Sequence, residues 1–180
     1  MATGHLITGE KKAGKTTAVR KIVSGALRPL CHGFYTEEIR ENGRRTGFRL
    51  TTLDGKTAVI AHRDEEHRIQ SEFRAGNYVV DLKAFEAIAL PALESLPGHK
   101  GLIVIDEIGP MQLLSPRFKE AVARILEGPG VLFGTIVARE FPWADDIKAR
   151  AGIVVHPMTH ENRDELTREL EIALTREIGA

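Results

Sequence analysis

Cysteine is almost missing from this chain: Cys31 is the only one in 180 residues. No internal disulfide and no cysteine-rich zinc site can therefore form, and Cys31 is expected to pack as a small core residue. Net charge is missing as well. The 25 Lys and Arg balance the 25 Asp and Glu, which leaves no overall electrostatic ground for a nucleic-acid or anionic-membrane partner. No apolar run approaches the roughly 18 residues that a membrane helix needs. No charged lead followed by an apolar stretch marks a signal peptide. A cytoplasmic protein is expected, and a monomer. Repeats, low-complexity tracts and linkers are lacking too, so residues 1–180 are expected to form a single domain. A domain of this size buries roughly 70% of its unfolded surface.

What is present is strongly patterned. Leu6-Ile7-Thr8 is a short β run, and from Ala18 to Leu27 apolar residues fall at helical spacing, closed by Pro29. Between residues 33 and 62 the period changes. "GFYTEEIR", "TGFRLTTL" and "TAVIAH" are separated by Asn42-Gly43 and Asp54-Gly55, which predicts an antiparallel meander. "NYVVDL" adds a β candidate, with helix from about Lys83 to Leu96. Then "LIVIDE", a helix over Pro116–Leu126, "VLFGTI", a short helix near Trp143–Arg150, "IVVHP" and a helix over Glu161–Glu177 alternate. This predicts an α/β fold, a mainly parallel sheet with helices on both faces and the meander inserted.

Gly9-Glu10-Lys11-Lys12-Ala13-Gly14-Lys15-Thr16 fits G-x-x-x-x-G-K-[ST], and it lies between a strand and a helix as the chemistry requires. Backbone N–H groups of such a loop curl around a β-phosphate, and the helix beginning near Lys15 adds its positive end. Lys15 is expected to reach the β- and γ-phosphates and Thr16 to bind Mg²⁺, with Thr17 beside it among the nucleotide-binding residues. Lys11 and Lys12 have two readings: charge aimed at the γ-phosphate, or solvent-facing lysines that raise the local potential.

Asp106 and Glu107 end the apolar run "LIVIDE", and strand carboxyl ends border the ligand crevice of a parallel sheet. Asp106 is the expected second Mg²⁺ residue, and Glu107 the base that orients and deprotonates the attacking water. Asp106 and Gly109 also fit D-x-x-G, but no N-K-x-D follows to read guanine. Thr135, closing "VLFGTI", reads equally as a γ-phosphate sensor or as an ordinary strand threonine. Arg40, Arg44, Arg45, Arg49, Arg63, Arg68 and Arg74 read mostly as a solvated hairpin face, with one or two able to close over phosphates or a second substrate. His62/His67 and His156/His160 do not have the H-E-x-x-H spacing and read as surface or structural.

The phosphate loop, "GFYTEEIRENGRRTGFRLTTLDG", "RAGNYVVDL", "VIDEIGPM" and "THENRDEL" together resemble the small P-loop nucleoside-triphosphatase family that includes the cancer-related nucleoside-triphosphatase. The similarity runs from Leu6 to about Leu170. It implies a RecA-like fold and slow, Mg²⁺-dependent hydrolysis of ATP, GTP, CTP and UTP to diphosphate and phosphate. It implies also that Glu107 is catalytic and that Asn162 and Arg163 lie near the nucleobase. Three positions depart from the family's pattern. "EKKA" replaces a filling rich in proline and glycine, Gln112 stands where many members have an acid, and Val137 where a proline usually follows "GTI".

Two other functions use the same loop. A nucleoside or nucleotide kinase would grip its acceptor with meander arginines; a nucleotide-dependent switch would use slow hydrolysis to time a protein contact. The chain has no nucleotide-kinase lid motif, and a carboxylate beside Asp106 suits activation of water better than either.

Overall fold

A computed structural model describes residues 4–63, 71–94 and 101–179. Arg68, His67 and the expected helix end at Leu96 lie outside the described residues. The strands are β1 (Gly4–Thr8), β2 (Cys31–Glu41), β3 (Arg44–Thr52), β4 (Thr57–Arg63), β5 (Arg74–Ala75), β6 (Tyr78–Val80), β7 (Leu102–Ile108), β8 (Val131–Ile136) and β9 (Ile153–Pro157). The helices are α1 (Lys15–Ser24), α2 (Leu82–Leu93), α3 (Pro116–Glu127), α4 (Pro142–Lys148) and α5 (Arg163–Ile178). Among the described residues the strands form one sheet in the order β5-β6-β4-β3-β2-β7-β8-β1-β9. Pairing is parallel from β2 through β9, while β2, β3, β4, β6 and β5 pair antiparallel. β2 belongs to both halves and fuses the meander to the parallel core. β8 lies between the strand that enters the phosphate loop and the strand that carries Asp106, the RecA-like arrangement of a P-loop fold.

Alternation along the central strands divides the interior. Leu6, Ile103, Ile105 and Leu132 face α2, α3 and α4. Ile7, Val104 and Phe133 face α1 and α5. On the first side Phe34, Phe85 and Phe118 pack ring against ring with centroids 5.4–6.3 Å apart. Cys31 is buried, and its thiol, pushed up to about 11 by burial, donates to the Leu27 carbonyl. Crossovers running in opposite directions along the sheet use opposite faces, as right-handed connections require. The strand ends that follow β1, β7 and β8 thus open on one crevice.

Several boundaries differ from expectation for local reasons. α1 stops at Ser24 rather than Leu27, because Gly25 caps it and Arg28–Leu30 turns as a 3₁₀ helix around Pro29. Asp81 leaves the strand to cap α2, its carboxylate accepting from Ala84 N at 2.9 Å. Asn42 and Gly43 both have positive φ, 49° and 77°, as a two-residue hairpin of the right twist demands.

Candidate nucleotide-hydrolysis site

Gly9 follows β1 with φ 146°, and a Cβ there would lie 2.3 Å from the Met158 carbonyl oxygen. Only glycine fits. Met158 N in turn donates to Thr8 O at 2.8 Å, so the connection between β9 and α5 lies directly on the phosphate loop. Gly14 caps α1 without a side chain, and the first turn carries no acid, so the helix's leading N–H groups face the loop with their partial positive charge uncompensated. Lys15 folds back over the loop, its Nζ donating to Gly9 O and Glu10 O at 2.8 Å each. Glu10, Lys11, Lys12 and Thr17 are exposed, Ala13 is buried, and Thr16 is partly covered at the start of α1.

Asp106 is 2% exposed. Its Oδ1 accepts from the Thr135 hydroxyl at 2.5 Å, and its backbone carbonyl accepts from Thr36 Oγ1 at 3.0 Å. Its other oxygen, Oδ2, is buried with no hydrogen-bond partner among the described residues. The Thr16 hydroxyl lies near enough to weigh on the carboxyl's protonation without making that bond. Burial pushes the Asp106 carboxyl above the usual range, against the hydroxyls of Thr135 and Thr16 and the charges of Lys15 and Arg20. A buried carboxylate oxygen left without a donor is costly unless a cation meets it. With a hydroxyl beside it, this is the hard oxygen set that suits Mg²⁺ completed by phosphate oxygens and water. Thr16 and Asp106 therefore fit the metal expected from the sequence. No group of three or more His, Cys, Asp or Glu among the described residues could hold a metal by themselves.

The strand is irregular beside Glu107. Along β7 and β8, Ile105 pairs with Gly134 but Ile108 pairs with Ile136, so β7 carries one extra residue across this step. The Asp106–Glu107 peptide is cis. Asp106 meets the Thr135 hydroxyl, and the Glu107 side chain lies over Gly109. Burial and the neighbouring Asp106 push the Glu107 carboxyl up, opposed by Lys15, Lys11 and Arg139. Lys11 thus belongs to the field around Glu107, while Lys12 sits with φ 68° in the loop.

The structure brings most of the expected residues together. Asn162 is used locally: its Oδ1 accepts from Thr159 N at 2.8 Å and its Nδ2 donates to Pro157 O at 2.9 Å, which holds the loop before α5. Arg163 does reach the phosphate loop, with its Cδ 3.4 Å from where a Gly14 Cβ would be. Thr135 is a partner of Asp106. Arg40 and Arg45 are held inside the meander by Glu38, at 2.6 and 2.8 Å, with Arg45 also against the rings of Phe48 and Tyr78. Gln112 is buried, its Oε1 without a partner among the described residues. Val137 N donates to Ile108 O at 3.1 Å, a bond that proline there would forgo.

Sequence reasoning missed Arg139 and Arg20. Arg139 follows β8 and acts on Glu107. Arg20 lies one turn beyond Thr16, bonds Glu37 at 2.8 Å and covers the Tyr35 ring at 5.0 Å. Their basic character was legible; their neighbours are set by strands far apart in the chain.

Residues 5–171 match a family model described as "NTPase". The chain belongs to this NTPase family. It is 41% identical to the nucleoside-triphosphatase THEP1 of Thermotoga petrophila over 92% of the chain and 89% of the relative. It is 39% identical to the human cancer-related nucleoside-triphosphatase over 94% of the chain and 95% of the relative. The crystal structure of THEP1 from Aquifex aeolicus superposes with a TM-score of 0.83 at 36% identity, covering 95% of this chain and 98% of that one. The family is one of nucleotide-binding P-loop hydrolases.

Proposed function

We propose that this chain hydrolyses ATP, GTP, CTP and UTP to the diphosphate and phosphate, slowly and with little choice of base. The carrying observation is a buried Asp106 oxygen without a hydrogen-bond partner among the described residues, next to a Glu107 carboxyl that Asp106, Lys15 and Lys11 act on. The loop from Gly9 to Thr16, with Thr17 next in the helix, cradles the α- and β-phosphates through backbone N–H groups. Lys15 leaves its two carbonyl partners for the β- and γ-phosphate oxygens. Thr16 and Asp106 hold Mg²⁺, which when bound neutralises charge on the phosphates. Glu107, its carboxyl raised by burial and by Asp106, takes the proton of the attacking water. Lys11 and Arg139 face the charge that builds on the γ-phosphate. Arg163 lines the base side of the site and Asn162 keeps that wall in place.

Residues 1–180 act as one domain and as a monomer in the cytoplasm, without a nucleic-acid or membrane partner. No helix among the described residues is long and apolar enough to cross a membrane. Of the meander arginines, Arg40 and Arg45 are paired with Glu38, which weighs against their gripping an acceptor. Phosphate release from the four triphosphates, with Mg²⁺ or with EDTA and no acceptor, tests the proposal. Release from all four that stops in EDTA is expected; tight binding without release would sink it.

A further inference from the structure

A chain uses glycine where φ is positive or where a side chain would not fit. Gly109 does not have the positive φ that Gly9 and Gly14 have. Its backbone would accept alanine. Space is another matter: a Cβ at 109 would lie 2.3 Å from Glu107 Oε1, 2.8 Å from its Cδ and 2.9 Å from its Cγ. All three nearest atoms belong to one side chain. No backbone and no core residue stands closer, so the bare Cα of Gly109 serves Glu107.

We propose that Gly109 is the positioning residue for Glu107, its missing side chain forming the seat in which the catalytic carboxylate rests. The inference rests on the reading of Glu107 as the base. It explains the spacing of D-E-x-G in this chain by local packing. Gly109 lies two residues beyond Glu107, just past the register shift in β7, so the chain there passes beneath the carboxylate before Gly109 O accepts from Leu113 N at 2.9 Å. With alanine at 109, the glutamate oxygen must withdraw by about 1 Å to regain an ordinary contact. A flexible side chain makes that move at little cost to the fold. A displacement of that size at a catalytic group lowers the rate on the order of 10²-fold. Nucleotide affinity, set by the phosphate loop, is left alone.

The test compares kcat and KM for Mg-ATP in the wild type, Gly109→Ala, Glu107→Gln and the double variant, with melting temperatures of all four. Gly109→Ala is expected to lower kcat on the order of 10²-fold with KM within about twofold, melting as the wild type does. The double variant is expected to be no slower than Glu107→Gln, because no base remains to be displaced. A slow Glu107→Gln with a Gly109→Ala at the wild-type rate would overturn the positioning role and leave the base assignment standing. Full turnover by Glu107→Gln would remove the base assignment itself. The same fold-loss from Gly109→Ala in both backgrounds, or a lowered melting temperature or lost binding, would assign Gly109 some role other than seating Glu107.

Discussion

Asp106 sits where the described residues offer a charge too few partners. One oxygen has the Thr135 hydroxyl; the other has no donor among the described residues. Burial raises its carboxyl above the ordinary 3.8. The sign follows: ionising Asp106 costs the metal-free folded state more than the unfolded one, so stability is lost as pH rises through the ordinary value. Asp106→Asn should therefore melt above the wild type in EDTA at pH 7, by about 2–4 °C for each kcal/mol relieved. The gain should fade towards pH 3, where both side chains are neutral. Mg-nucleotide should then reverse the order, since only the carboxylate can hold the ion; a calorimetric scan of both proteins with and without Mg-nucleotide would show it. Lys15→Ala belongs to the same scale. Its ammonium bonds only two loop carbonyls in the described structure, so the variant should fold normally and lose nucleotide binding, measured by titration calorimetry.

At the scale of elements, the C-terminal helix is pinned to the sheet by ionisable groups. His5 on β1 bonds His156 on β9 at 2.9 Å and Glu177 on α5 at 3.1 Å, and the two imidazoles stack with centroids 5.1 Å apart. Burial and the facing His5 push the His156 imidazole down to about 4 from its ordinary 6.5. The unfolded chain therefore binds a proton between those values that the folded one refuses, and stability falls as pH drops from 6.5 towards 4. Urea unfolding at a series of pH values should show a steeper loss in the wild type than in His156→Gln across that window. Parallel slopes would mean that His156 titrates freely.

Much of this scale was legible in the sequence. "VLFGTI" and "IVVHP" are strands over the spans their apolar runs predicted, and Asn42-Gly43 marked its hairpin, because those signals are local. The extra residue in β7 was not legible. "LIVIDEI" is apolar enough to be a strand in either register, and what reveals the bulge is the pairing with β8. Similarly, His156 read as surface or structural, but nothing local in the sequence pointed to its partner His5, 151 residues away, or through His5 to Glu177. The phosphate loop carries its function in its own spacing; the surroundings of Glu107 come from three separate segments, through Lys11, Asp106 and Arg139.

Across the whole molecule, the sheet divides the labour. Helices α1 and α5 bring the phosphate loop and Arg163 to one side of the crevice, and the bulged end of β7 presents Glu107 from the centre. A nucleotide bound as proposed would bridge these parts in the folded state alone, so its binding should stabilise the entire domain. Mg²⁺ with a non-hydrolysable triphosphate at about 100 times Kd should add about 2.7 kcal/mol, a rise of roughly 5–10 °C in melting temperature for a protein of this size. Mg²⁺ alone should add far less, and Lys15→Ala should lose the shift.

The most direct test of the whole account is single-turnover hydrolysis of Mg-ATP by the wild type and Glu107→Gln, with the Kd of each for nucleotide measured in parallel. An unchanged Kd with hydrolysis slowed by about 10²-fold or more, the range of a general base, is the predicted result. Hydrolysis by Glu107→Gln at near the wild-type rate would contradict it.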